Sequence, residues 1–196
     1  MKDLKRIHLS AVAVLLIIAG CSSAPQITKT TPLQSLGAPD WVVKGSGAFT
    51  GDKGKVFYGI GSASNIQNTS LLRSSSENRA RNEVAKIFQV YTASLMKDYI
   101  ASTSAGQANV SSEEQHVEQA IKTVTATTLS GVEIIDHWQH PATGELYSLA
   151  RLDLEKFKEN LEKAKELNSQ ARDYIRKNAD RLHNELEKEE EKMNQR

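Results

Sequence analysis

Val56-Phe57-Tyr58-Gly59-Ile60-Gly61-Ser62-Ala63-Ser64 decides how this chain folds. Its β-branched and aromatic residues read as a strand, and its small residues stand where another backbone can come close. Asn68 or Thr69 then supplies a helix cap, and Leu72, Ala80, Val84, Ile87, Phe88, Tyr91, Leu95 and Tyr99 recur in steps of three and four. That spacing marks one face of a long helix. Ser102 to Asn109 is small and polar and ends it, and Glu114, Val117, Ile121, Val124 and Thr128 predict a second helix.

Further along, Gly131 to His140 reads as a strand with Val132, Ile134 and Trp138 on one face. Pro141-Ala142-Thr143-Gly144 has turn chemistry. Glu145 to Leu152 is the hairpin partner, Leu146, Ala150 and Leu152 alternating against Tyr147, Leu149 and Arg151. The order β-α-α-β-β predicts an α+β domain: a small antiparallel sheet with two helices on one face.

After the sheet there is no Gly or Pro to the end of the chain. Asp153 is placed to cap a long C-terminal helix. Leu154, Phe157, Leu161, Ala164, Ala171, Ile175 and Leu182 fit heptad a and d positions, with Asn168 and Asn178 interrupting. Unbroken, such a helix would be about 60 Å long. Leu161, Ile175 and Leu182 are therefore candidates for contact with a protein partner or a second copy. From Glu185 onward the helix is nearly all charged and polar.

The start of the chain has a different character. Lys2, Lys5 and Arg6 precede nine apolar residues, Ala11 to Ala19, and then comes Cys21, the only cysteine. A run this short does not cross a bilayer, which needs about 20 residues; it fits an export signal. Ile18-Ala19-Gly20-Cys21 resembles the lipobox of bacterial lipoproteins. The resemblance implies cleavage before Cys21, with Ile18, Ala19 and Gly20 recognised by the signal peptidase, and acylation of the Cys21 thiol. Ser22 rather than Asp follows, which by the same resemblance favours the outer membrane. Ser22 to Pro39 is rich in Ser, Thr and Pro and reads as a tether, roughly 20–25 Å in mean reach. The expected layout is a signal peptide over 1–20, lipidated Cys21 and tether over 21–38, a folded domain over 39–153 and the helix over 154–196.

The leader holds three of the chain's 25 basic residues and one of its 24 acidic ones, so the mature chain carries 22 against 23. No basic field is present, which argues against a nucleic-acid partner. Chemistry-bearing residues are sparse. His137 and His140 stand on opposite faces of a predicted strand, short of the three or four converging ligands of a zinc site. Gly59-Ile60-Gly61 lacks the third glycine of a dinucleotide fingerprint, Ser64 standing in its place. Ser74, Ser75 and Ser76 have no neighbouring histidine and no nucleophile elbow. Arg73, Arg79 and Arg81 read as a solvated helix face with Glu77 and Glu83 as partners, and Trp41 and Trp138 as packing residues.

Pro39-Asp40-Trp41, Tyr58-Gly59-Ile60-Gly61, Asn78-Arg79-Ala80-Arg81-Asn82-Glu83-Val84-Ala85, Gly131 to Trp138 and Tyr147 to Leu152 together resemble the LPP-twenty family of bacterial lipoproteins. The resemblance spans residues 39 to 153. It implies a compact α+β fold similar to domains of flagellar outer-membrane-associated proteins, with no catalytic residues and no cofactor. The expectation is a non-enzymatic outer-membrane lipoprotein with a structural, assembly or binding role, held to lipid through Cys21 and working with an envelope protein or as a homo-oligomer. The rival expectation is a periplasmic small-molecule or glycan-binding protein or a hydrolase, which requires a pocket with converging polar groups.

Overall fold

The computed structural model describes residues 32–51, 54–103 and 112–194. A short 3-10 turn (Leu33–Leu36) and helix α1 (Asp40–Lys44) lead into β1 (Gly47–Gly51) and β2 (Gly54–Ala63). Helices α2 (Thr69–Thr103) and α3 (Ser112–Leu129) follow, then β3 (Glu133–Gln139), β4 (Leu146–Asp153), α4 (Leu154–Lys163) and α5 (Ser169–Asn194). The four strands form one antiparallel sheet in the order β1-β2-β4-β3. The fold is α+β, as expected, with one more strand than the sequence suggested: β1 precedes the predicted set.

The opening stretch sits at the centre. Along β2, Phe57, Gly59 and Gly61 face the helices, opposite Leu152, Ala150 and Ser148 of β4. Asn68 caps α2, its Oδ1 accepting the Leu71 N–H at 3.0 Å. Helix α2 then lies directly on the two glycines. A Cβ built on Gly59 would meet Val84 N at 2.6 Å, and one on Gly61 would meet the Arg79 carbonyl carbon at 2.7 Å. The glycines exist so that a helix backbone can touch a strand backbone, not to cradle a phosphate.

Around that contact is an aromatic core. Phe57 meets Tyr91 at 4.9 Å and Phe88 at 5.3 Å between ring centroids, and Phe88 meets Phe157 at 5.3 Å, mostly edge to face. All four rings are fully buried. Ser76 and Ser148, buried on α2 and β4, share a hydrogen bond of 2.6 Å between their hydroxyls.

Only α2 of the two predicted helices rests on the sheet with most of its length. Helix α3 packs on α2 and α4 instead, through Val117, Ile121 and Val124. In β3 the ladder slips between Ile134 and Asp136. The bulge turns Ile134 toward the helices opposite Ala150, and Trp138 to the other face opposite Tyr147. Ile134 and Trp138 therefore do not share a face.

The expected single C-terminal helix is two. The chain breaks between Lys163 and Ser169, where buried Leu167 turns inward. Asn168 restarts it, Oδ1 accepting the Ala171 N–H at 2.8 Å. Arg172 donates to the carbonyls of Ala164 at 3.1 Å and Leu167 at 2.9 Å, satisfying groups the break leaves open. Asp153 holds the cap position of α4, but its carboxylate binds Arg151 Nε at 2.5 Å rather than the helix amides.

The second half folds back along α2 to reach β1. The Tyr91 hydroxyl donates to the Ala179 carbonyl at 2.8 Å and the Tyr174 hydroxyl to that of Asp98 at 3.1 Å. Buried Ala171, Ile175, Ala179 and His183 recur every four residues, the small ones admitting α2 closely. Near its charged end, Glu187 accepts the Thr50 N–H at 2.6 Å and the Thr50 hydroxyl at 2.8 Å. Residues 154–194 thus belong to the same compact unit as the sheet.

Candidate functional site

Ile18, Ala19, Gly20 and Cys21 lie outside the described residues. The three interaction candidates are described. Leu161 and Ile175 are at most 1% exposed, inside the core, and Leu182 is half-buried against it. Their apolar side chains are used by this chain's own α2, α3 and sheet, so Leu161 and Ile175 offer nothing to a partner. A heptad pattern shows that a helix has an apolar face, not which surface covers it.

His137 is drawn to α2 rather than to His140: its Nε2 lies 2.9 Å from Glu77 Oε1. The same carboxylate accepts from Arg73 Nε at 2.8 Å and lies 3.6 Å from Arg81. The Arg73 hydrogen bond, with help from His137, holds the Glu77 carboxyl below the usual range against the opposing effect of burial. His140 is occupied at the hairpin, where Nδ1 accepts the N–H groups of Ala142 and Thr143. Among the described residues, no cluster of three or more His, Cys, Asp or Glu is arranged to hold a metal ion.

Ser76 is spent on Ser148, and Ser74 donates to the Ser70 carbonyl at 2.7 Å. Trp41 Nε1 donates to Asp136 Oδ2 at 2.8 Å, and Trp138 packs on Tyr147 and His140. Both tryptophans are half-buried packing residues on the sheet face away from α2.

Two concavities among the described residues bear on function. The first, about 530 Å³, lies where β2 runs on past the end of β1 and is lined by Ser62, Arg79, Asn82, Glu83 and Lys86. Its charged side chains are each paired. Arg79 donates to the Ser62 carbonyl at 2.5 Å, Lys86 binds Glu83 at 2.7 Å, and beside it Ser46 Oγ accepts the Ile60 N–H at 2.8 Å. The open edge of β2 is plugged by side chains rather than offered to a ligand.

The second is a groove of about 760 Å³ between α2 and α3. Met96, Ile121 and Thr125 form its nearly buried floor, with exposed Ala93 and Ala126 on its walls. Neither helix signalled it, because Ala93 and Ala126 lie off the apolar stripes that define the helices' core faces.

Buried His183 is a third feature that periodicity did not mark. Its Nε2 lies 3.0 Å from the Val56 carbonyl, its ring packs edge-on to Phe57 at 5.1 Å, and Nδ1 is buried without a partner. Burial pushes its pKa below the ordinary histidine value.

A helix-backed antiparallel sheet, sealed by a C-terminal pair of helices, is the class of structure these residues define. Residues 39–153 match the family model of the LPP20 lipoprotein, and the chain belongs to that family. It is thereby a lipoprotein of the bacterial envelope. Among curated proteins, none matches the chain. No described helix is long and apolar enough to cross a membrane.

Proposed function

We propose that this protein is anchored to the outer membrane through acylated Cys21, facing the periplasm, and serves the envelope without catalysis as a structural, assembly or binding component. The observation that carries the proposal is Ile18-Ala19-Gly20-Cys21 closing a nine-residue apolar run behind Lys2, Lys5 and Arg6, on a chain of a lipoprotein family. Two or three acyl chains hold a protein stably to a bilayer, whereas one holds it only marginally. The polar residues after Cys21 then set the folded domain off from the lipid. The partner is another envelope protein or a second copy. Its contact surface lies elsewhere than Leu161 and Ile175.

Metabolic labelling with radioactive palmitate tests the anchor. Wild-type chain should take up label and float with outer-membrane vesicles on a density gradient, and Cys21→Ala should do neither. Label retained by Cys21→Ala would overturn acylation at this residue, and wild-type protein sedimenting with inner membrane would overturn the outer-membrane assignment.

A further inference from the structure

The groove between α2 and α3 has the form of a ligand site. It follows α2 from Gln89 to Ala101 and α3 from Glu118 to Leu129, a run of about 17 Å at the helical rise. Its volume of about 760 Å³ lies within the range of small-molecule pockets. The lining is predominantly apolar.

The shape selects the occupant. Met96, Ile121 and Thr125 on the floor are only 4–7% exposed, while the walls carry small Ala93 and Ala126. Spread over about 17 Å, that volume is an elongated trough, a shape that follows a methylene chain lengthwise. The rim selects the head group. Lys122 is paired with Glu118 at 2.7 Å, while Lys97, on the rim across from them, has no ion-pair partner among the described residues. The unbalanced charge at the mouth is positive.

We propose that the α2–α3 groove binds a single acyl chain with an anionic head, of the free fatty acid class. The apolar tail displaces water from Met96, Ile100, Ile121 and Leu129, and the carboxylate meets Lys97. The proposal concerns a non-covalent ligand and does not rest on acylation of Cys21.

The test uses the full chain carrying Cys21→Ala, stripped of bound lipid, so that no covalent acyl group competes. Titration with fluorescent cis-parinaric acid should saturate at one equivalent and be reversed by palmitate. Ala126→Trp, which fills the groove from an exposed position, should weaken binding about tenfold or more, with unchanged far-ultraviolet circular dichroism. Ala93→Phe should do the same, and serves if Ala126→Trp does not fold. Lys97→Glu should weaken parinarate about threefold while leaving displacement by hexadecanol unaltered, because the alcohol carries no charge. Absence of saturable binding would overturn the proposal, as would binding indifferent to both groove-filling variants. A concentration-dependent dimer broken by Ala126→Trp, without parinarate uptake, would give the groove to a second copy and equally overturn it.

Discussion

Gly61→Ala should cost far more than one methyl group suggests. The new Cβ would stand 2.7 Å from the Arg79 carbonyl carbon and closer still to Ala80 N and Ser76 O. All three are backbone atoms of α2, so no side chain can swing away. Ordinary contact near 3.5 Å requires the helix to retreat by about 1 Å. That retreat strains the packing of Phe57 on Phe88 and Tyr91, an overpacking cost of about 1–3 kcal/mol. It also stretches the buried Ser76–Ser148 hydrogen bond, for about 1 kcal/mol more. The expected loss is about 3 kcal/mol, or a Tm lower by about 6–12 °C in a domain of this size. Urea unfolding followed by far-ultraviolet circular dichroism measures it. Gly131→Ala is the control, because its nearest neighbour, Thr128 O, is 3.3 Å away, and it should stay within about 0.5 kcal/mol of wild type. Gly59→Ala should behave like Gly61→Ala and should not be rescued by Val84→Ala, since Ala80 O and Val84 N also block that Cβ. A loss under about 1 kcal/mol for Gly61→Ala, or rescue of Gly59→Ala by the smaller side chain, would refute direct backbone contact as the reason for the glycines.

Two further outcomes follow from the buried C-terminal helices. Leu161→Ala and Ile175→Ala should each lower stability by about 2–5 kcal/mol without altering the sedimentation coefficient of the folded protein; a changed oligomeric state at undiminished stability would return these residues to an interface. His183 should make stability pH-dependent. Burial lowers its folded pKa, against the raising influence of the Val56 hydrogen bond, Glu187 and Asp180, while Lys55 adds to the lowering. The unfolded chain therefore takes up the proton first, near pH 6.5, and the contribution present above that pH is lost as pH falls through the lower folded value, at up to about 1.4 kcal/mol per pH unit. Urea midpoints at pH 7.5 and 5.5 should show this loss, and His183→Gln should reduce the difference; an unchanged pH dependence in that variant would exclude His183 as its source.

The core of the fold was legible where local pattern and tertiary demand coincide. The apolar stripe of α2, the Asn68 cap and the glycines of β2 each announce a contact that the structure makes. β1 was not legible, because Gly47-Ala48-Phe49-Thr50-Gly51 is short and bounded by glycines. It becomes a strand through pairing with β2 and through Glu187, 137 positions away. The break before α5 was half legible. Asn168 stood out as an interruption of the heptads, yet it is the cap that restarts the helix. The bulge in β3 escaped because a period-two pattern assumes an unbroken ladder. The α2–α3 groove escaped for a related reason: small exposed residues carry no hydrophobic signal, and the space they leave exists only once two helices lie side by side.

The closure of β1 by α5 makes the sheet depend on contacts between parts of the chain far apart in sequence. Thr50 is held by Glu187, and the Val56 carbonyl by His183, 127 positions later. The first strand of the sheet is therefore held by a residue of α5, 137 positions further on. Contacts between such distant partners form slowly, since the intervening polypeptide must first be brought to order. In any chain that emerges N-terminus first, β1 and β2 appear well before the α5 residues that close them. A polypeptide cut short before Ile175 lacks both Glu187 and His183, and with them the groups that hold Thr50 and the Val56 carbonyl.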